Sequence, residues 1–544
     1  MFLPKVTQQS DCPALELAAS WVLSRIGAKP ESLNEVHRCF ERNFWPFPKT
    51  LPIKDINRAR ELREKANKCY KKQPAELDAA LRLYNESICY APEGSEDLGL
   101  GYANRSAVYF TQKQYRKCFN NIQLAKANNY PRNKMDKLLQ REERSLTLLQ
   151  DCSTERKQSP LLEVDFCGVE SDLQFVYNPG GGGGYIAKTD LQVGTVVLAE
   201  RAAVLSIFPK SIYCKCSHCG IANGFDLIPC QICCDVMYCS EQCRTNAFNQ
   251  YHRFECETVQ DMKVLFKGTG LKEMFQLLLR LFWMAAGKLL DDAEDFSLQY
   301  KENLDRYRNP VEVEVSHLAF HVLATEESML KEAQPNDIII QQFFSILVYH
   351  ILVEENDSFQ NQRISYKNKS LLMEILYRLF THVPRIYDER IVGATCFYPC
   401  IRMVNHSCVP NVEQCQLGRQ RALLVKRPIK AGERMVQCYL FEYNTNRMPK
   451  KERQTMLQDK YRIFCQCLGC IMDYPQVSAM QENVVLRSEL EAISEIKGEK
   501  NLRALEEFLQ KYDNQYPLRA LAIAWEMYRD RRVAELNARI RSTL

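Results

Sequence analysis

Eight soft or borderline donors stand in four short pairs within one stretch of the chain: Cys216 and Cys219, Cys230 and Cys233, Cys239 and Cys243, His252 and Cys256. Zinc takes four such donors in a tetrahedron, and a close pair on a turn provides two of them. Eight donors therefore make two closed sites, structural because no position is left for water. So short a segment cannot build a core of its own, and metal binding supplies its folding free energy. Cys214 and Cys234 are further thiols beside it. Spacing alone does not say how the pairs share their metals. A second group runs from Asn405-His406-Ser407-Cys408 through Pro410-Asn411, Gly432-Glu433 and Tyr439 to Cys465, Cys467 and Cys470. The last three thiols need a fourth donor from elsewhere. Cys408 provides it, which makes a third zinc site joining a central loop to the chain that follows the strands.

These donors sit in a chain of 544 residues, 46% apolar and 26% charged, enough for several domains and too apolar to be mostly disordered. Seventy-two basic against 67 acidic residues leave a net charge of only +5, which argues against a dedicated nucleic-acid binder. The longest apolar run, 338–353, carries Gln341, Gln342 and His350 and reads as a buried helix rather than a membrane span. Asp11 and Glu16 interrupt the apolar residues near the N-terminus, so no signal-peptide core is expected there. The 24 cysteines are accordingly expected to be reduced thiols of the cytoplasm and nucleus, with metal binding as their main use. Cys39, Cys69, Cys89 and Cys118 lie in apolar-periodic segments and read as small core residues.

The elements that must position the donors alternate in type. After an N-terminal helical segment, 1–57, residues 58–150 read as helices. There Ala66, Asn67 and Tyr70 are followed by Ala80, Tyr84 and Pro92, and Ala103, Asn104, Ala107, Tyr115 and Pro131 repeat the scheme. Small residues where helices meet, aromatics in the next gap and a closing proline resemble the tetratricopeptide repeat. The polar stretch 151–160 is a linker. Val164 to Phe166, Phe175 to Tyr177 and Thr195 to Ala199 are β-like runs, and the glycines at 180–184 would by themselves be a flexible connector. Residues 262–351 are largely helical, with Met274 to Met284 the clearest piece. Short strands return over 396–440, and 479–544 is helical, with Leu502, Leu505, Phe508 and Leu509 on one face.

The order and spacing of the first cluster, with Tyr238-Cys239-Ser240, resemble the MYND zinc finger. Together with Tyr398-Pro399, the Asn405–Asn411 motif, Ile429-x-Ala431-Gly432-Glu433, Tyr439, Arg453 and the last cysteines, the chain resembles the SET-and-MYND (SMYD) lysine methyltransferases, in particular their repeat-bearing branch. The resemblance implies a multidomain α+β fold. Its SET domain would occupy 161–471, with core strands in 164–208 and 390–440, a helical insert at 262–389 and a post-SET segment at 460–471. The finger at 216–256 interrupts it, and a C-terminal helical domain, 479–544, follows. It implies interleaved ligation, with Cys216, Cys219, Cys239 and Cys243 on one zinc and Cys230, Cys233, His252 and Cys256 on another. Cys408, Cys465, Cys467 and Cys470 would hold the third.

The resemblance also implies methyl transfer from S-adenosylmethionine to a protein lysine. Tyr439 would be the catalytic tyrosine, and Gly182, Gly184, Tyr185, Asn405, His406, Tyr439 and Phe464 would meet the cofactor. The finger would bind peptides, proline-rich ones among them, and the repeats a chaperone or another protein, or else pack over the SET cleft. No membrane and no sequence-specific nucleic acid is expected as a partner. Three departures stand out: Gly183 where the family usually has arginine, Ile463 where it has an aromatic, and no evident asparagine around Val383-Pro384-Arg385. Two function classes follow, an active methyltransferase and a SET-fold scaffold that brings partners together. Tyr439 and the Asn405–Cys408 motif favour the first; Gly183 and Ile463 favour the second.

Overall fold

The first described helix opens on Asp55, whose carboxylate accepts the backbone N–H groups of Asn57 and Arg58 at 2.9 and 3.0 Å. Such an N-cap contributes about 1 kcal/mol. The computed structural model describes residues 54–151, 167–169, 172–178, 182–258, 272–291, 300–325, 349, 366–381, 388–391, 393–440, 448–461, 463–475 and 479–543. The N-terminal segment up to residue 53, the linker, Val164–Phe166, the run 338–353 apart from Tyr349, and Val383–Arg385 lie outside the described residues.

The front helices are α1 (Ile56–Lys71), α2 (Leu77–Tyr90), α3 (Glu96–Thr111), α4 (Tyr115–Ala127) and α5 (Met135–Asp151). Ala59, Ala66, Ala80, Ala103, Cys118 and Ala125 are all buried, which lets the helix backbones approach closely. Asn67 marks the repeat: its side-chain oxygen accepts from Tyr84 Oη at 2.7 Å and from Asn104 Nδ2, its counterpart 37 residues on, at 2.9 Å.

The central strands are β1 (Cys167–Val169), β2 (Leu173–Asn178), β3 (Gly182–Ala187), β4 (Val196–Glu200) and β5 (Val204–Ile207). The glycine run is no connector: Gly182, Gly183 and Gly184 form half of β3, opposite Asn178, Tyr177 and Val176 in an antiparallel hairpin. The finger follows, with β6 (Ile228–Pro229), β7 (Met237–Tyr238) and α6 (Glu241–Ala247), the last capped by Ser240 Oγ on the Cys243 N–H at 3.2 Å. Helices α7 (Lys272–Asp291), α8 (Leu304–Arg308), α9 (Leu318–Thr325) and α10 (Tyr366–Thr381) form the insert, and α7 packs on β5.

The chain then returns to strands: β8 (Asp388–Ile391), β9 (Ala394–Phe397), β10 (Asn405–His406), β11 (Val412–Leu417), β12 (Gln420–Val425) and β13 (Val436–Gln437). They complete a four-stranded sheet in the order β1-β4-β12-β11, a three-stranded sheet β5-β9-β8 and a parallel pair β10-β13. Cys465 and Cys467 lie between helices α11 (Lys450–Tyr461) and α12 (Leu468–Ile471), and Cys470 lies in α12. The C-terminal helices α13 (Val484–Glu495), α14 (Glu499–Tyr512) and α15 (Arg519–Thr543) cover one face of the four-stranded sheet. There Leu505, Phe508, Trp525 and Tyr528 pack with Cys415, Leu417, Ala422 and Leu424. Glu413 pins the contact by accepting from Trp525 Nε1 and Arg529 Nη1, each at 2.8 Å. The fold is multidomain α+β with the expected order of elements. Among the described residues, no helix is long and apolar enough to cross a membrane.

One placement differs from expectation. Among the described residues the front helices pack against the finger rather than over the SET strands. Arg105, fully buried on α3, donates to Asn121 Oδ1 at 2.7 Å and, across to the finger, to the Leu227 carbonyl at 2.7 Å. Asn85 on α2 donates to the carbonyls of Tyr213 and Phe225 at 2.9 and 2.7 Å, and Lys54 Nζ to that of Cys230 at 2.6 Å. The physical reason is unsatisfied backbone: the finger's irregular loops present carbonyls that must find donors when buried, and the helices supply them.

Candidate zinc centres and active site

Three tetrads converge. Cys216, Cys219, Cys239 and Cys243 form one, Cys230, Cys233, His252 and Cys256 the second, and Cys408, Cys465, Cys467 and Cys470 the third. Within each set the ligand atoms lie within 4.8 Å of one another. A zinc tetrathiolate has sulfur–sulfur edges of about 3.8 Å. The separations Cys219–Cys239 (3.6 Å), Cys230–Cys256 (3.9 Å) and Cys408–Cys470 (3.6 Å) match that geometry. The donor sets therefore fit zinc, and the finger's pairs interleave. Cys214 and Cys234 belong to no tetrad among the described residues.

Each histidine beside these centres is oriented by its second nitrogen. His252 points Nε2 toward Cys230 Sγ at 3.3 Å, while its Nδ1 meets Glu255 Oε2 at 2.9 Å. Glu255 also accepts from Arg280 Nε and Gln276 Nε2 on α7, each at 2.9 Å. Burial alone would push the Glu255 carboxyl up, but Arg280 and His252 hold it down at about 2. The Arg280 guanidinium further donates to the carbonyls of Leu205 on β5 and Ser217 beside the first metal set. One buried chain of charge thus links the finger, the insert and a SET strand. At the third centre, His406 Nδ1 accepts the Tyr439 N–H at 3.0 Å, which leaves the ring proton on Nε2, 3.4 Å from Cys408 Sγ. Burial lowers this imidazole to about 4, so it is neutral.

The candidate active site is built on the parallel pair. Asn405 faces Val436 and His406 faces Gln437. Asn411 holds the two strands in register: its N–H donates to the Val436 carbonyl at 3.1 Å, its Oδ1 accepts the Val436 N–H at 2.8 Å and its Nδ2 donates to the Arg434 carbonyl at 3.0 Å. Gln437, buried, donates to the carbonyls of Ile401 and Val404 at 2.9 and 3.0 Å. Tyr439 follows two residues after Gln437. Its hydroxyl donates to the Val404 carbonyl at 3.0 Å, and its ring lies 5.2 Å from His406 and 5.1 Å from Tyr461. The Tyr461 hydroxyl in turn donates to the Tyr439 carbonyl at 3.3 Å.

Strand β3 closes the other side. A Cβ on Gly184 would stand 3.2 Å from Asn405 Nδ2, so the strand backbone approaches the Asn405 amide only because the residue is glycine. That amide forms no side-chain hydrogen bond among the described residues and is available to a ligand. Gly182 has φ of +73° and open space around it. Gly183 points the other way: a Cβ there would meet Met403 Cε and the Phe175 ring at less than 3 Å. The buried Tyr185 ring packs edge-on against Phe175 with centroids 5.4 Å apart. The open space at Gly182 and an Asn405 amide that makes no side-chain hydrogen bond among the described residues suit a small polar cofactor.

Gly184, Asn405, His406 and Tyr439 are thus brought together around β3, β10 and β13, with Gly182 two residues from Gly184 on β3. Tyr185 stands in the core behind them. Phe464 is not gathered with them; it is 66% exposed, while Ile463 packs with the residues around Cys408 and Leu457. Alternation along the extended stretch before Cys465 sends the two side chains to opposite sides. Three residues near the site escaped the sequence reading. Tyr461 stacks on Tyr439, and the aromatic at the end of α11, four residues before Cys465, was its available signal. Arg434 lies over Gly184. Glu200 on β4 accepts the N–H groups of Cys400 and Ile401 at 3.1 and 2.6 Å and so caps the 3₁₀ turn leading into Asn405.

Comparison with known proteins bears on the finger and on the chain as a whole. The MYND finger family model matches residues 216–256. Protein-lysine N-methyltransferase SMYD4 of Danio rerio is 22% identical, over 82% of this chain and 69% of its own length. Histone-lysine N-methyltransferase SMYD3 of Mus musculus is 24% identical over 53% of this chain and 59% of its own. N-lysine methyltransferase SMYD2 of Homo sapiens is 23% identical over 62% and 72%. With the finger matched and relatives of 22–24% identity, this chain is similar to the SET-and-MYND (SMYD) methyltransferases.

Proposed function

We propose that the protein is an S-adenosylmethionine-dependent protein-lysine N-methyltransferase of the SET type. The observation that carries the reading is the joint of β10 and β13, which sets Asn405, His406 and Tyr439 side by side next to the third zinc centre. The cofactor, when bound, supplies a methyl group on a cationic sulfur. The Asn405 amide and the backbone of Gly182 and Gly184 would hold it, with Tyr439 at its reacting end. The Tyr439 hydroxyl, fixed by the Val404 carbonyl, would orient the incoming amine, a proximity effect that needs no covalent enzyme intermediate. Tyr439 and Tyr461 form an aromatic wall. Such a wall desolvates a lysine amine and favours its neutral, nucleophilic form. The zinc ions are structural, and the finger and front helices serve protein contacts in cytoplasm and nucleus.

A scaffold reading, a SET fold with little activity, is favoured by one observation: Phe464 is exposed rather than gathered with the other residues of the site. The two readings part in a transfer experiment. Full-length protein is incubated with S-adenosylmethionine labelled in its methyl group and with protein extracts, and modified residues are located by mass spectrometry. Label on lysine side chains is the expected result. No transfer, together with no cofactor binding by calorimetry, would leave the scaffold reading in its place.

A further inference from the structure

The turn that leads into Asn405 is held by the strands and by the helical insert. Glu200 on β4 accepts the N–H groups of Cys400 and Ile401, and Gln437 on β13 donates to the carbonyls of Ile401 and Val404. The insert's hold is Arg402, in the middle of the 3₁₀ turn Ile401–Met403. Its Nη1 reaches α9 and donates to His321 Nε2 at 3.1 Å and to Thr325 Oγ1 at 3.3 Å. His321 is fully buried, and its Nδ1 meets the Tyr307 carbonyl at 2.8 Å. A carbonyl only accepts, so Nδ1 carries the ring proton and Nε2 presents the lone pair that Arg402 needs. Thr325 is oriented in the same way: its hydroxyl donates to the His321 carbonyl at 2.8 Å and turns its lone pairs to the guanidinium.

The same helices touch the glycine hairpin. Arg308 on α8 stacks over the Tyr177 ring at 4.6 Å, and the Tyr177 hydroxyl meets the Ala324 carbonyl on α9 at 3.5 Å. Tyr177 pairs with Gly183 across β2 and β3. The insert thus grips both the turn before Asn405 and the strand opposite the glycines.

We infer that Arg402 and His321 are positioning residues: through their contact the insert fixes the turn, and with it the Val404 carbonyl that receives the Tyr439 hydroxyl. Both act through the turn rather than on a ligand. The inference rests on the methyltransferase reading above and adds to it a control from outside the SET strands. A half-buried guanidinium that loses a buried acceptor must move to find another. Movement of Arg402 is movement of the backbone two residues before Val404 and three before Asn405. A displacement of about 1 Å at such a place costs about a hundredfold in turnover.

The test is calorimetry with S-adenosylhomocysteine on the full chain, with the denaturant midpoint of each variant beside it. His321→Leu and Arg402→Met should each bind about tenfold more weakly than wild type, within the range of coupling carried through side-chain networks. The double variant should bind no more weakly than the worse single one, because both changes remove one contact. His321→Gln restores an acceptor near Nε2 and should recover most of the affinity. A role in packing alone would lower the midpoints and leave the affinity of the folded protein unchanged. That result, losses that multiply in the double variant, or no recovery in His321→Gln would each overturn the inference. Should His321→Leu fail to fold, Arg402→Lys and Arg402→Met decide: the lysine can still donate to Nε2 and must bind more tightly, and equal affinities overturn the pairing. If wild type itself binds no S-adenosylhomocysteine, the methyltransferase reading falls and takes the inference with it, an outcome distinct from variants that match a binding wild type.

Discussion

A histidine that ligates zinc through one nitrogen is only as well placed as the group that holds the other. Glu255 has that position behind His252, and its buried partner Arg280 keeps it ionised. Glu255→Gln should therefore weaken the hold on one of three zinc ions by about 10- to 100-fold in competition with a colorimetric chelator. In a His252→Cys background, where a thiolate needs no partner at Nδ1, the same change should leave zinc retention as it was. Equal losses in both backgrounds would assign Glu255 to packing. The ligands themselves were legible in the sequence because a metal fixes donor type and spacing together. Their sharing was not legible from spacing. It depends on the β6–β7 hairpin, which holds Cys230 and Cys233 between its strands and Cys239 just beyond them. Arg434 and Glu200 were illegible for a related reason. Each acts on a partner from a distant stretch of chain, and nothing in its own neighbourhood marks it.

Among the elements, the front helices were readable from their small residues and aromatics, because helix packing leaves a periodic signature. Their docking partner left none. Arg105 and Asn85 look like ordinary polar residues of a helix until the carbonyls of Leu227, Phe225 and Tyr213 meet them. Arg105→Ala should cost about 3–5 kcal/mol in denaturant unfolding, the scale for breaking a buried charged network. It should also speed proteolysis within 213–229; unchanged protection there would contradict the docking role. Strand β4 carries a second element-scale device. Burial raises the Glu200 carboxyl to about 8 despite the N–H groups of Ile401 and Cys400. Between the ordinary glutamate value and about 8, the folded chain keeps a proton that the unfolded chain has lost. Stability should then fall as pH rises from 5 to 8, by up to about 1.4 kcal/mol per unit from this group. Glu200→Gln cannot ionise and should lack that slope, as denaturant midpoints across the range would reveal. Identical slopes for the two proteins would count against it.

Across the whole molecule the three metal centres act as joints. Two fix the finger, which the front helices grip from one side and the insert from the other. The third ties α11 and α12 to the loop that carries Asn405 and His406. Everything then converges on one short parallel pair of strands and the tyrosine that follows it. If the protein transfers methyl groups, that tyrosine is where a single hydroxyl should matter most. Tyr439→Phe keeps the ring, its contacts with His406 and Tyr461, and the backbone bond to His406 Nδ1. It removes only the hydroxyl on the Val404 carbonyl. The loss should appear in turnover and hardly in binding, since the contact acts mainly in the transition state. The decisive measurement is radiolabelled methyl transfer by wild type and Tyr439→Phe, alongside calorimetric binding of S-adenosylhomocysteine. The account predicts transfer reduced by about a hundredfold or more, with affinity close to wild type; transfer equal to wild type would contradict it.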